Sequence, residues 1–255
     1  MSRSSRLLSV LGASALAASA LLVMLGLWVA PPDAVQGDAQ RLMYVHVPAA
    51  WLAYVAFFVT AVASALYLWP RTRARRWDRL AGVTAELGVI FTGLALALGM
   101  LWGKPIWNVY WTWDARLITT AVLFFLYIGY LALRRIPGDR NQVARRSAVA
   151  ALIAFVDVPI VHFSVNWWRT QHQQATVLRP DLDPQIHGTM AWTLLWAVVT
   201  FHLVFVYLAA RRYRLAAIED HIADEELDLA VVRRRSEDDF VPAERRQVPV
   251  LGGGA

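Results

Sequence analysis

The chain has 255 residues, 58% of them apolar, with twelve tryptophans, no cysteine and a formal net charge of +6; its mean hydropathy is +0.42 and its pI about 10. Without a sulfur nucleophile it cannot perform thiol–disulfide exchange, build a thiolate metal site or attach a cofactor through thioethers. The apolar content exceeds the roughly half that is usual for soluble domains, which places the chain in the membrane class.

Six apolar runs approach or exceed the roughly 18 residues that mark a bilayer span. The first, Leu7–Ala30, follows Arg3 and Arg6 and contains Ala-Leu-Ala-Ala-Ser-Ala, which suggests a signal peptide. Its apolar run is too long for the ~7–15 residues of a signal core, so an uncleaved span is expected. Val47–Trp69, Leu80–Leu101, Leu117–Leu133, Ala148–Val165 and Thr189–Ala210 are the other five. The expected fold is an all-α polytopic membrane protein with a six-helix domain over residues 1–210 and a tail over 211–255. In the tail, Ala216–Val232 is expected to form a short surface helix and the last twenty residues to be disordered.

The connections alternate in charge. One set carries Arg71, Arg73, Arg75, Arg76 and Arg79, then Arg134, Arg135, Arg140, Arg145 and Arg146, then Arg211, Arg212 and Arg214. The other carries only Arg41, Lys104, Arg116, Arg169 and Arg179. Arginine-rich loops stay cytoplasmic, so both termini are expected inside, and Pro31–His46, Trp102–Arg116 and Asn166–Gly188 outside. The high pI is then a signature of topology, not of nucleic-acid binding.

The second outer segment reads Trp-Gly-Lys-Pro-Ile-Trp-Asn-Val-Tyr-Trp-Thr-Trp-Asp from Trp102 to Asp114, with four indoles in its first twelve residues. An aromatic belt scatters its rings over many helix ends, a role suited to Trp28, Trp51 and Trp192. If Trp107–Trp113 is helical, Trp107 and Trp111 share a face and Trp113 points away. Gly103 and Pro105 are expected to break the helix, laying the segment across the outer surface as a shelf for a large, flat, apolar ligand with a polar edge.

His46 opens the second span, and His172 lies in the third outer segment, so topology puts both on the side of the indoles. Two neutral imidazoles can fill both axial positions of a haem iron; at this level quinone also suits the shelf. His162 is a reserve, His187 a weaker candidate, His202 lies deeper in the last span, and His221 is in the tail. Asp157, near the middle of the fifth span, is expected to face the bundle interior, protonated or paired with His202. Glu86 lies nearer the inner end of the third span, hydrated from the cytoplasm. The two carboxylates keep a proton-coupled carrier as an alternative.

The run Trp102–Leu117, with Ala115-Arg116 following the aspartate, resembles the tryptophan-rich signature of the haem exporter protein C family of the cytochrome c maturation system. Tyr44-Val-His-Val-Pro-Ala-Ala50 and His162-Phe-Ser-Val-Asn-Trp-Trp-Arg-Thr-Gln-His-Gln173 resemble the same family, and the likeness covers about residues 10–210. The resemblance implies a multi-pass bacterial inner-membrane protein that displays haem b on the periplasmic face, with His46 and His172 as axial iron ligands. It implies a platform of Trp102, Trp107, Trp111 and Trp113 with Asp114, and propionate partners among Lys104, Arg116 and Arg169. Asp114 would pair with Arg116 or orient an indole N–H. The implied partners are a periplasmic, membrane-anchored haem chaperone and ATP-binding-cassette subunits. The covalent chemistry falls to the chaperone, so the chain itself is expected to be an assembly factor and not an enzyme. A scaffold whose tryptophans dock protein without haem is the second alternative.

Overall fold

A computed structural model describes residues 3–173 and 186–239. The described residues are helical, with no β-strand and one isolated bridge, Asp33–Gly37. Six helical stretches are long and apolar enough to cross a membrane. Side chains such as Leu16, Trp28, Phe125, Ile153 and Trp192 stand largely exposed along them. In water such surfaces would drive aggregation; on a multi-pass membrane protein they face lipid.

Helix α1 (Arg3–Met24) runs into a π turn at Leu25–Val29. Arg41, on the 3-10 turn Asp38–Leu42, closes that end by donating to the carbonyls of Gly26 and Ala30. Helix α2 (Met43–Leu68) and helix α3 (Arg75–Trp107) form the central pair, linked through Thr60 and Thr84 hydroxyls 2.8 Å apart. Phe57 of α2 stacks on Tyr127 of α4 (Ala115–Arg135), with ring centroids 3.7 Å apart and 15° between planes. Both rings lie at the centre of the largest buried cluster. At the arginine-rich end, Arg134 of α4 forms a two-pronged pair with Asp78 of α3, at 2.6 and 3.0 Å.

The fifth span departs from the expected single helix. It divides at Val156 into α5 (Arg140–Phe155) and α6 (Asp157–Trp167). Pro159 explains the break: its missing N–H removes the bond to Phe155 and its ring crowds the preceding turn. Restarting at Asp157 puts Pro159 in a first turn, where that N–H would be unused. The third span differs too. Gly103 and Pro105 do not stop α3, which continues to Trp107 before Asn108 terminates it at φ 60°. Asparagine tolerates this left-handed conformation, and Lys104 donates to the Asn108 carbonyl at 2.9 Å.

Helix α7 (Gly188–Asp239) has no internal glycine or proline, so nothing interrupts it where a separate helix over 216–232 was expected. The chain divides into two compact units, Met1–Tyr213 and Arg214–Ala255. In the first, Trp196 of α7 donates to the Ala18 carbonyl of α1 at 3.1 Å. In the second, His221 lies 3.4 Å from Glu225, both exposed. The disorder expected for the last twenty residues falls, from 240 onward, outside the described residues.

Two intramembrane groups find partners other than those expected. Glu86 is gripped by Arg212 at 2.6 and 3.1 Å, a fork-on-fork pair that neutralises its charge. His202 does not meet Asp157: its Nδ1 lies 2.7 Å from the Val198 carbonyl and its Nε2 accepts from Trp51 at 3.3 Å.

Candidate functional site

The three segments read as outer converge at one end of the bundle. His46 sits in the first turn of α2 with its imidazole against α3. Gly99 makes room for it: a Cβ at that position would stand 3.2 Å from His46 Cε1. Three residues on, and so on the same face of α3, Trp102 meets the ring edge-on at 5.8 Å and 78°. The Trp102 indole is fixed in turn by donating to Gln36 of the first outer segment at 2.9 Å. Nδ1 of His46 is buried and makes no hydrogen bond.

His172 approaches from the third segment. Its Nδ1 lies 2.9 Å from the Gln173 carbonyl. Donation there puts the proton on Nδ1 and leaves Nε2 bare, the tautomer a metal-ligating imidazole requires. Burial pushes the imidazole below its ordinary value, with Arg116 adding to the shift and the Gln173 carbonyl and Asp114 opposing it. The neutral imidazole therefore persists to lower pH than in a free histidine. The two imidazoles are close enough to act on each other electrostatically, and Arg116 acts on both.

Arg116 is bound to neither imidazole. Its guanidinium donates to the Tyr54 hydroxyl at 3.0 Å and to the Val161 carbonyl at 2.9 Å, joining α2, α4 and α6. Its Nε is buried without a partner. The expected Asp114–Arg116 ion pair does not form. The Asp114 carboxylate accepts backbone N–H groups instead, from Arg116 at 2.9 Å and Gln171 at 2.7 Å. Burial alone would raise its carboxyl; together, hydrogen bonds from Thr170, Gln171, Arg116 and Leu117 outweigh that and hold it below the ordinary carboxylate value.

The remaining indoles do not form the helical face considered for Trp107–Trp113. Trp107 ends α3 and folds back over Gly103. Trp111 and Trp113 lie in the non-helical stretch before α4, edge-to-face at 5.9 Å and 84°. Trp113 is 84% exposed, and Tyr110, Trp167 and Trp168 are also open. Of the three basic residues, Lys104 is engaged by Asn108 and lies over the Tyr110 ring at 5.4 Å. Arg169 is exposed and makes no hydrogen bond or ion pair among the described residues. His162 is exposed and edge-on to Tyr54 at 6.2 Å, and His187 is exposed at the start of α7.

Tyr54, Gly99, Gln36 and Thr170 were not anticipated. A signal existed for Tyr54, which follows His46 by eight residues, two helical turns along one face. Among the described residues no three His, Asp or Glu side chains converge as a bare metal ion needs. Haem iron asks the protein for at most two ligands, and two imidazoles with indoles and cation donors nearby are what this end of the bundle can offer.

The family model described as "Heme exporter protein C" matches residues 1–228. The "Heme exporter protein C" of Bradyrhizobium diazoefficiens is 39% identical over 215 residues, 80% of each chain. That of Haemophilus influenzae is 37% identical over 198 residues, 78% of this chain and 79% of its own. A "Putative cytochrome c biosynthesis ccmC-like mitochondrial protein" of Marchantia polymorpha is 36% identical over 201 residues, 78% of this chain and 84% of its own.

Proposed function

Because this chain belongs to the haem exporter protein C family, we propose that it holds haem b at the periplasmic face of the bacterial inner membrane and hands it to a membrane-anchored haem chaperone. The observation that carries this reading is that His46, edge-on to Trp102, and His172, from separate outer segments, lie within electrostatic reach of each other and of Arg116. His172 presents Nε2 because Gln173 takes its other nitrogen, and His46 is oriented by Gly99 and Trp102. These two imidazoles are the axial ligands. Trp111, Trp113 and Trp107 supply flat apolar area for the macrocycle, worth about 150–250 Å² each when covered. Arg169 and the spare Nε of Arg116 are the propionate partners, since a guanidinium matches a carboxylate's geometry; Lys104, tied to Asn108, contributes charge from the rim.

The haem is cargo. Ligation must hold it against loss yet yield to an incoming histidine of the chaperone, so release proceeds by exchange of an axial imidazole. The exposed set of Trp113, Trp167, Trp168 and Tyr110 is the contact face for that chaperone, and ATP-binding-cassette subunits complete the assembly. The six-helix part over residues 1–210 carries the function, and the tail over 211–255 lies on the cytoplasmic side.

Complementation tests this reading against a proton-coupled carrier. In cells lacking their own copy, His46→Ala and His172→Ala are expected to abolish holo-cytochrome c, while Asp157→Asn supports it. Asp157 is the feature that favours the carrier, since its Oδ2 is buried without a partner; Glu86, paired with Arg212, does not. Maturation lost in Asp157→Asn with haem still bound would favour the carrier. Maturation intact in both histidine variants would favour the haem-free scaffold.

A further inference from the structure

The aspartate that ends the tryptophan segment is buried, and among the described residues it hydrogen-bonds to no imidazole, indole or guanidinium. Its two oxygens do different work. Oδ1 accepts the Arg116 N–H at 2.9 Å and so caps α4. Oδ2 accepts the Gln171 N–H at 2.7 Å, across 57 residues of sequence. The Thr170 hydroxyl helps keep this carboxylate ionised, and the His172 N–H donates to Thr170 Oγ1 at 3.0 Å. A path therefore runs from the start of α4 through Asp114 to the Gln171 backbone, beside which Thr170 Oγ1 takes the His172 N–H. From Trp168, where α6 has ended, to Gln173 the chain adopts no helix. Among the described residues, no other side chain from outside it hydrogen-bonds to the backbone of residues 168–173.

We infer that Asp114 is a positioning residue, whose carboxylate ties the segment bearing His172 to the N-terminus of α4 and so holds that imidazole opposite the His46 side of the site. The inference rests on His172 being an iron ligand. A helix cap needs one acceptor oxygen, and serine supplies it as well as aspartate does. The second oxygen is surplus to capping. An ionised carboxylate taking N–H groups from two segments makes bonds about twice as strong as neutral ones. Without it, the non-helical stretch 168–173 loses a tether from outside it, and the conformational entropy recovered favours leaving the ligating pose.

The test is Asp114→Ser, which keeps a capping oxygen and removes the tie, compared with His172→Ala in purified full-length protein loaded with haem. Thermal unfolding of Asp114→Ser should stay near that of the unaltered chain. Its ferric spectrum should shift from low-spin towards the high-spin form of His172→Ala. Added imidazole should restore the low-spin form, at a concentration on the order of tenfold or more below that needed to perturb the unaltered protein. Thr170→Val, which interrupts the path at an accessible loop position, should give the same shift in weaker form, and it carries the test if Asp114→Ser fails to accumulate. A low-spin spectrum in both variants, with imidazole sensitivity unchanged while His172→Ala is high-spin, overturns the positioning role and leaves the ligand assignment standing. A His172→Ala spectrum identical to the unaltered protein's overturns both.

Discussion

Gly88→Val is expected to leave little or no folded protein to extract from the membrane. A Cβ at Gly88 of α3 would overlap Cε1 and stand 2.7 Å from Cδ1 of Phe57 on α2, so close that one of the two helices must move. Phe57 cannot swing aside, because it is fully buried and stacked on Tyr127. Yielding would separate α2 from α3, the pair whose upper ends carry His46 and Trp102. Overpacking a tight core contact costs about 1–3 kcal/mol for small additions and more when backbone must shift. Gly88→Ala should lower the unfolding temperature in detergent and the yield of monodisperse protein, and Gly88→Val should eliminate the yield. Normal yield and unfolding temperature in the valine variant would mean that α2 and α3 do not approach so closely.

Gly99→Val should separate folding from haem binding. Here the Cβ would meet His46 Cε1 at 3.2 Å and Nδ1 at 3.7 Å, tight enough to require a shift of a few tenths of an ångström. Retreat of the ring is limited by Trp102, itself pinned to Gln36. Replacing a mid-helix glycine by alanine favours the helix by roughly 0.5–1 kcal/mol, so Gly99→Ala should not lower stability while it nudges the imidazole. The branched carbons of valine reach further into the ring's position. Gly99→Val should therefore be recovered folded, with haem content several-fold reduced and the remaining haem high-spin. Full haem content with an unchanged spectrum would show that His46 does not lie against α3 when it ligates.

The span count and fold class were legible in the sequence because both follow from local quantities: apolar run length and the alternation of arginine between loops. Both histidines could likewise be placed at one end of the bundle by counting spans. What escaped depended on contacts between distant segments. Nothing local to Asp114 reveals that its second oxygen reaches Gln171, and the adjacent Arg116 suggested an ion pair that the distant Tyr54 hydroxyl and Val161 carbonyl pre-empt. The extent of α3 was misjudged because Gly103 and Pro105 are weak stops in a last turn already close to its end, where few backbone bonds remain to be lost. Pro159 was the missed break, a proline two residues after an intramembrane aspartate. The two glycines that let rings approach α3 are visible as letters, but their partners on α2 are set only by the crossing of the helices.

The most direct test of the bis-histidine site is the visible spectrum of the detergent-purified protein, oxidised and reduced, beside His46→Ala and His172→Ala. One low-spin, six-coordinate haem per chain is expected, and in either variant its loss or conversion to a high-spin form. Haem whose spectrum is indifferent to both substitutions, or protein without haem from cells making it in abundance, would contradict it.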